Sequence, residues 1–111
     1  MAVLQLSLVV RTAGTFSVRS AKSDSNQAEI VAALRAVGVI VTDTHSLGYG
    51  FPDVFCFVPW TGQVHALEIK SPGGKLTEYE QAWHALHARC EYVHIVFSID
   101  EAFEACGVNV V

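Results

Sequence analysis

Two short β-rich runs, Asp53 to Val58 and Val64 to Lys70, flank Pro59-Trp60-Thr61-Gly62, a stretch of turn composition, and the hairpin this predicts constrains the fold more than any other local signal. With Trp60 and Thr61 as the central turn residues, opposed positions have numbers summing to 121, so Asp53 faces Glu68. Their Cβ atoms would then lie roughly 5 Å apart. Side chains alternate along a strand, so Glu68 and Lys70 share that face while Leu67 and Ile69 point to the other. A type I turn with Gly62 in a bulge would instead slip the register by one residue and set Ile69 opposite Asp53.

Two carboxylates that close repel one another unless one takes a proton or a cation sits between them, and an oxygen-lined site suits Mg²⁺ or Mn²⁺. With a lysine beside them, such a pair can activate water next to a phosphodiester. Each residue also has an ordinary structural use. An Asp after Pro often serves a turn, and a Glu with a Lys two residues on is often a surface charge pair. Glu68, however, lies in an otherwise apolar strand of a sheet with two hydrophobic faces, where an unpartnered ionised carboxylate is costly.

The rest of the chain reads as an ordered series. Leu4, Leu6, Leu8 and Val10 alternate as in a half-buried strand, pairing with Thr15 to Val18, and Ser20 to Asn26 is the expected flexible stretch. Asp24 is positioned to cap a helix with Gln27 at its third position and a stripe of Ile30, Val31, Leu34 and Val37, closed by Gly38. Val39 to Thr44 is strand-like, and Leu47 to Phe51 is a glycine-bearing loop. After the hairpin and the breaker Ser71-Pro72-Gly73-Gly74, Thr77 and Glu80 form a capping box for a helix with a stripe of Tyr79, Trp83, Leu86 and Cys90. Tyr92 to Phe97 reads as a buried strand, Asp100 as the cap of a short helix ending near Cys106, and Val108 to Val111 as a last edge strand.

A chain of 111 residues with 51% hydrophobic and 16% charged residues is expected to form one domain rather than a disordered segment. Its three cysteines, Cys56, Cys90 and Cys106, make no CxxC pair, which argues against a disulfide framework or zinc knuckle and for a reducing compartment. The apolar opening lacks a basic start and a cleavage site and is too short to span a bilayer, so it is read as a strand. P-loop, nucleophile-elbow and dinucleotide-binding patterns are absent. A formal charge of −4 gives no global attraction to phosphate, although Arg11, Arg19 and Lys22 could form a local basic strip.

The order helix, three strands, helix, strand resembles the core of the PD-(D/E)XK nuclease superfamily, on Glu29 of the first helix, Pro52-Asp53, and Glu68-Ile69-Lys70. The approach Gly48 to Asp53, the strand Leu67 to Lys70 and the stretch Leu76 to Gln81 are similar to the VRR-NUC group, the virus-type replication and repair nucleases. The resemblance spans about Asn26 to Phe103, with the N-terminal quarter outside it. It implies a restriction-endonuclease-like α/β fold, a mixed sheet with helices on both faces, as a single domain over 1–111, with 1–25 an N-terminal hairpin and loop, 26–103 the core and 104–111 a tail.

By the same resemblance Asp53 and Glu68 ligate the metal, the Ile69 carbonyl is a third ligand, and Lys70 positions or deprotonates the attacking water. Glu29 completes the site from the edge of its helix stripe, and Gln81 matches the group's glutamine although the helical wheel turns it to solvent. Arg11, Arg19, Lys22 and Lys75 are the expected nucleic-acid contacts. The implied activity is Mg²⁺-dependent (or Mn²⁺-dependent) hydrolysis of DNA, with branched or junction DNA as a candidate substrate, in the cytoplasm or at the nucleoid.

Two other readings compete. His84 and His87, three apart on one helix, could chelate a transition metal with Glu80 or Glu91. A catalytically silent nuclease-like fold that binds nucleic acid or protein is favoured by the acidic charge and opposed by the intact Asp53, Glu68 and Lys70. The apolar termini, Leu4 to Val10 and Val108 to Val111, predict a homodimer or higher even-numbered oligomer.

Overall fold

The computed structural model describes residues 25–109. Helix α1 (Gln27–Ala36) is followed by β1 (Ile40–Asp43), a 3₁₀ turn (His45–Leu47), the hairpin β2 (Val54–Val58) and β3 (Gln63–Ile69), helix α2 (Glu78–Leu86), β4 (Val93–Val96) and helix α3 (Ile99–Ala105). This is the expected order of elements. The sheet has strand order β1-β2-β3-β4, antiparallel except that β4 runs parallel to β3, as a crossover through α2 requires. No helix among the described residues is long and apolar enough to cross a membrane.

The hairpin has the predicted register: Val54 pairs with Leu67 and Phe55 with Ala66, so pair numbers sum to 121. Pairing extends to Val58 and Gln63, leaving a four-residue loop in which Gly62 takes φ +74° and its N–H, like that of Thr61, donates to the Val58 carbonyl. An even-numbered loop keeps the parity of the central pair, so the one-residue slip is not realised.

One sheet face carries the core. Val54, Cys56, Val58, Leu67, Ile69 and Val96 are buried with Ile30 and Leu34 of α1, Ala102 on α3 and Cys106 just after it. Asn26, at the start of α1, sends its side-chain amide to the carbonyls of Lys70 and Phe97, both at 3.1 Å, instead of capping its own helix, and so pins α1 to the ends of β3 and β4. The expected cap Asp24, the strand and hairpin before it, and Val110 and Val111 lie outside the described residues.

Helix α2 lies on the opposite face and has the predicted capping box of Thr77 and Glu80. Of its predicted apolar stripe only Trp83 faces the sheet. Tyr79, Leu86 and Cys90 are exposed, Leu86 at 84%, and the residues turned toward the sheet are Glu80, Trp83 and His84. The reason is the surface beneath: that part of the sheet presents Asp53, Glu68 and Lys70, so the helix meets it with polar groups. Three smaller expectations also change. Ser98, not Asp100, caps α3, its side chain accepting from the Glu101 N–H at 3.1 Å. Among the described residues β4 is an edge strand of which only Val96 is buried, and Val108 and Asn109 join no strand.

Candidate active site

Asp53 sits where the loop after the 3₁₀ turn enters β2. Its N–H donates to the Leu67 carbonyl at 3.0 Å, continuing the hairpin ladder by one residue, and its Oδ2 accepts the Ile69 N–H at 2.7 Å. Its Oδ1 lies 3.1 Å from Nδ1 of His45, which the 3₁₀ turn delivers. Burial acts to raise this carboxyl, but hydrogen bonds led by the His45 ring and including the Ile69 N–H outweigh it and hold Asp53 below its usual value.

Glu68, opposite Asp53, is 1% exposed, and its Oε2 is buried with no donor to accept from, so only a proton shared with a neighbouring carboxylate or a cation can satisfy it. Its Oε1 is 3.4 Å from His84 Nε2 on α2. Burial first, then the Asp53 carboxylate, then Glu80 push Glu68 up to about 10, so without a cation it is protonated at neutral pH. Burial also lowers His84, so this contact joins two neutral groups rather than an ion pair.

Lys70, on the same face, is 8% exposed, and its Nζ lies 2.8 Å from Glu80 Oε1. The same oxygen accepts the Thr77 N–H at 2.8 Å, so the group that starts α2 also fixes the lysine. Burial opposes ionisation of Glu80, but the hydrogen bond and charge of Lys70 and the Thr77 N–H prevail, leaving Glu80 below its usual value.

The structure thus brings Asp53, Glu68 and Lys70 together, with Ile69 bonded to Asp53. It does not bring Glu29. That residue is exposed on α1 because the buried phase of the helix runs through Gln27, Ile30 and Leu34. Gln81 is exposed and donates to the Leu76 carbonyl at 3.1 Å, so the helical wheel rather than the motif places it. Lys75 is exposed on the loop before α2, and Arg11, Arg19 and Lys22 lie outside the described residues. The paired-histidine alternative separates: His87 stacks on Trp83 with ring centres 3.7 Å apart while His84 turns toward Glu68.

Three residues of the cluster are not assigned to this site by the sequence: Glu80 and His84, which enter there only as a capping residue and in the rival metal site, and His45. Glu80 has a signal, since a capping-box glutamate lies at a fixed place on the first turn and here that turn abuts the lysine. His84 is one turn further along the same helix. Nothing local to His45 marks it, because its role depends on the loop folding back onto Asp53.

Among the described residues no three His, Cys, Asp or Glu side chains already surround a common point at coordinating distance. Mg²⁺ does not need three, since it is commonly held by one or two carboxylates and keeps several waters. The orphaned Glu68 Oε2, facing a second carboxylate that stays ionised, fits a hard cation.

A search of curated proteins and one of solved structures each returned no match. The family model of the VRR-NUC domain matches residues 10–99, reaching further toward the N-terminus than the Asn26 start of the resemblance. The match covers most of the chain and includes every residue of the cluster, so this protein belongs to the VRR-NUC family, within the PD-(D/E)XK-like nucleases.

Proposed function

We propose that the protein is a Mg²⁺-dependent (or Mn²⁺-dependent) deoxyribonuclease that hydrolyses phosphodiester bonds in DNA, with branched or junction DNA as its preferred form. The observation that carries the proposal is the buried, unpartnered Glu68 Oε2 directly across the hairpin from Asp53. Asp53 and Glu68 would hold the cation. The Ile69 carbonyl, on the same strand edge as the N–H that Asp53 accepts, would be the third oxygen.

When bound, the cation supplies charge stabilisation at the phosphate oxygens and acidifies water. Asp53 is already ionised and its oxygens are oriented by Ile69 and His45, so it needs little rearrangement. Glu68 must lose its proton first, and the neutral imidazole of His84 beside it is positioned to relay that proton to solvent. Lys70, aimed by Glu80, orients the attacking water for in-line displacement at phosphorus. Cleavage should appear with Mg²⁺ or Mn²⁺, disappear in chelator, and not be supported by Ca²⁺; full activity in chelator would refute the mechanism.

Assembly as a homodimer or higher even-numbered oligomer, in the cytoplasm or at the nucleoid, completes the proposal. Support for assembly comes from Ile40, Phe57, Val64 and Ile95, exposed apolar residues on the α2 face of the sheet. Light scattering at micromolar concentration should give at least twice the monomer mass; a monomer would refute it.

A further inference from the structure

Tyr49 and Tyr79 are exposed aromatic residues, at 81% and 65%, beside the approach to the candidate site. Neither helps the core. Tyr49 is also the only non-glycine among the described residues with positive φ, at +56°, and it lies between Gly48 at +72° and Gly50 at +83°. L side chains adopt this region reluctantly, so neither backbone nor burial accounts for a large ring at position 49.

The ring is nonetheless held. The Phe51 N–H donates to the Gly48 carbonyl at 3.1 Å, closing the turn, and the Phe51 ring packs against Phe55 and Trp83 at 5.4 and 5.8 Å. Gly50 lies so close to the Tyr79 carbonyl that any side chain there would collide with it, which locks the loop onto α2. Tyr49 and Tyr79 meet edge to face, with centres 5.7 Å apart and planes at 85°. A perpendicular pair of this kind leaves ring faces open.

Both rings are tied to the site by the chain itself. Tyr79 precedes Glu80, which holds Lys70, and Tyr49 lies on the loop that runs into Asp53. We propose that Tyr49 and Tyr79 form a stacking platform for an unpaired nucleobase next to the scissile phosphate. The proposal rests on the nuclease reading and sharpens it: the substrate is nucleic acid with a single-stranded element at the cut, since a base inside a duplex has both faces covered by its stacked neighbours.

The test uses the full chain carrying Lys70→Ala, which should bind without cutting, and oligonucleotides with 2-aminopurine at one unpaired position. In Mg²⁺ the fluorescence should be quenched on binding. Tyr49→Leu, which keeps a Cβ and hence the same backbone demand, and Tyr79→Leu should each weaken single-strand binding about 10-fold and abolish the quench. Tyr49→Phe should restore both, and affinity for a blunt duplex of the same length should change less than about twofold. A ribo-oligonucleotide of the same sequence, run in parallel, tells which sugar the platform accompanies.

Unchanged single-strand affinity in both leucine variants, or equal loss on duplex and single strand, would overturn the platform and leave the tyrosines as a loop fastening. Metal-dependent cleavage by the unmodified chain without any quench would reject the platform while the nuclease reading stands. Binding to neither oligonucleotide would reject both.

Discussion

The two faces of strand β3 are equally dry and differently made. Leu67 and Ile69 are fully buried against α1 and α3, while Glu68 and Lys70, at 1% and 8% exposure, are buried beneath α2. On the first face burial itself is the stabilising term, at about 25 cal/mol per Å² of apolar surface. On the second it works against the fold: a carboxyl is pushed up to about 10, one of its oxygens has no partner, and two further carboxylates lie near it. A strand so built holds its polar face in place with its apolar one, and changes on the two faces should separate function from stability.

The largest separation is expected at Lys70. Lys70→Ala should lower cleavage by about 10²-fold, the order for losing a group that positions the attacking water, while metal binding persists. Single-turnover kinetics on a labelled DNA together with Mn²⁺ titration would check both halves. Leu67→Ala, the next residue but two on the other face, should do the reverse. It should cost about 2–5 kcal/mol in denaturant unfolding and leave activity per folded molecule intact.

Glu68 supplies a pH signature. Its folded value lies above that of the unfolded chain, so between about 4.3 and about 10 the metal-free fold binds the extra proton. Stability in chelator should therefore fall as pH rises through that window, by up to ~1.4 kcal/mol per unit. Glu68→Gln should flatten the slope, stabilise the metal-free protein at pH 8 relative to pH 6, and weaken the cation. Denaturant unfolding at the two pH values measures this.

How far the sequence reveals these two faces depends on what each helix meets. The hairpin register is legible because the loop is short and its parity is set by an even number of residues, and α1 is legible because Ile30 and Leu34 face an apolar sheet. Hydrophobic periodicity largely fails for α2 for the opposite reason: its sheet-facing side is Glu80, Trp83 and His84, so of the apolar stripe only Trp83 marks the covered side and Tyr79, Leu86 and Cys90 mark solvent. The same failure hid Glu80 and His84 from the site. Glu29, at a stripe edge, could be placed only by the phase of the folded helix. Strand β4 reads as buried because its residues are apolar, but an edge position is a property of the sheet and not of the segment.

Smaller effects sharpen the comparison. Glu80→Gln keeps a side chain able to complete the capping box but takes the counter-charge from the buried Lys70, so stability should fall by roughly 1–3 kcal/mol. Cleavage should fall about tenfold as the lysine loses its aim. Glu29→Ala, on the exposed side of α1, should stay within about 0.5 kcal/mol in stability and leave kcat unaltered; a loss matching that of Lys70→Ala would return Glu29 to the site.

The central claim is that Asp53 and the buried Glu68 form a cation site, and calorimetric titration with Mn²⁺ at pH 7 in two buffers of different ionisation heat tests it most directly. Because Glu68 holds a proton until the cation arrives, saturable binding should release about one proton per ion, and Glu68→Gln should abolish the release and weaken the binding. Absence of saturable binding, or binding without proton release and unchanged in Glu68→Gln, would contradict the account.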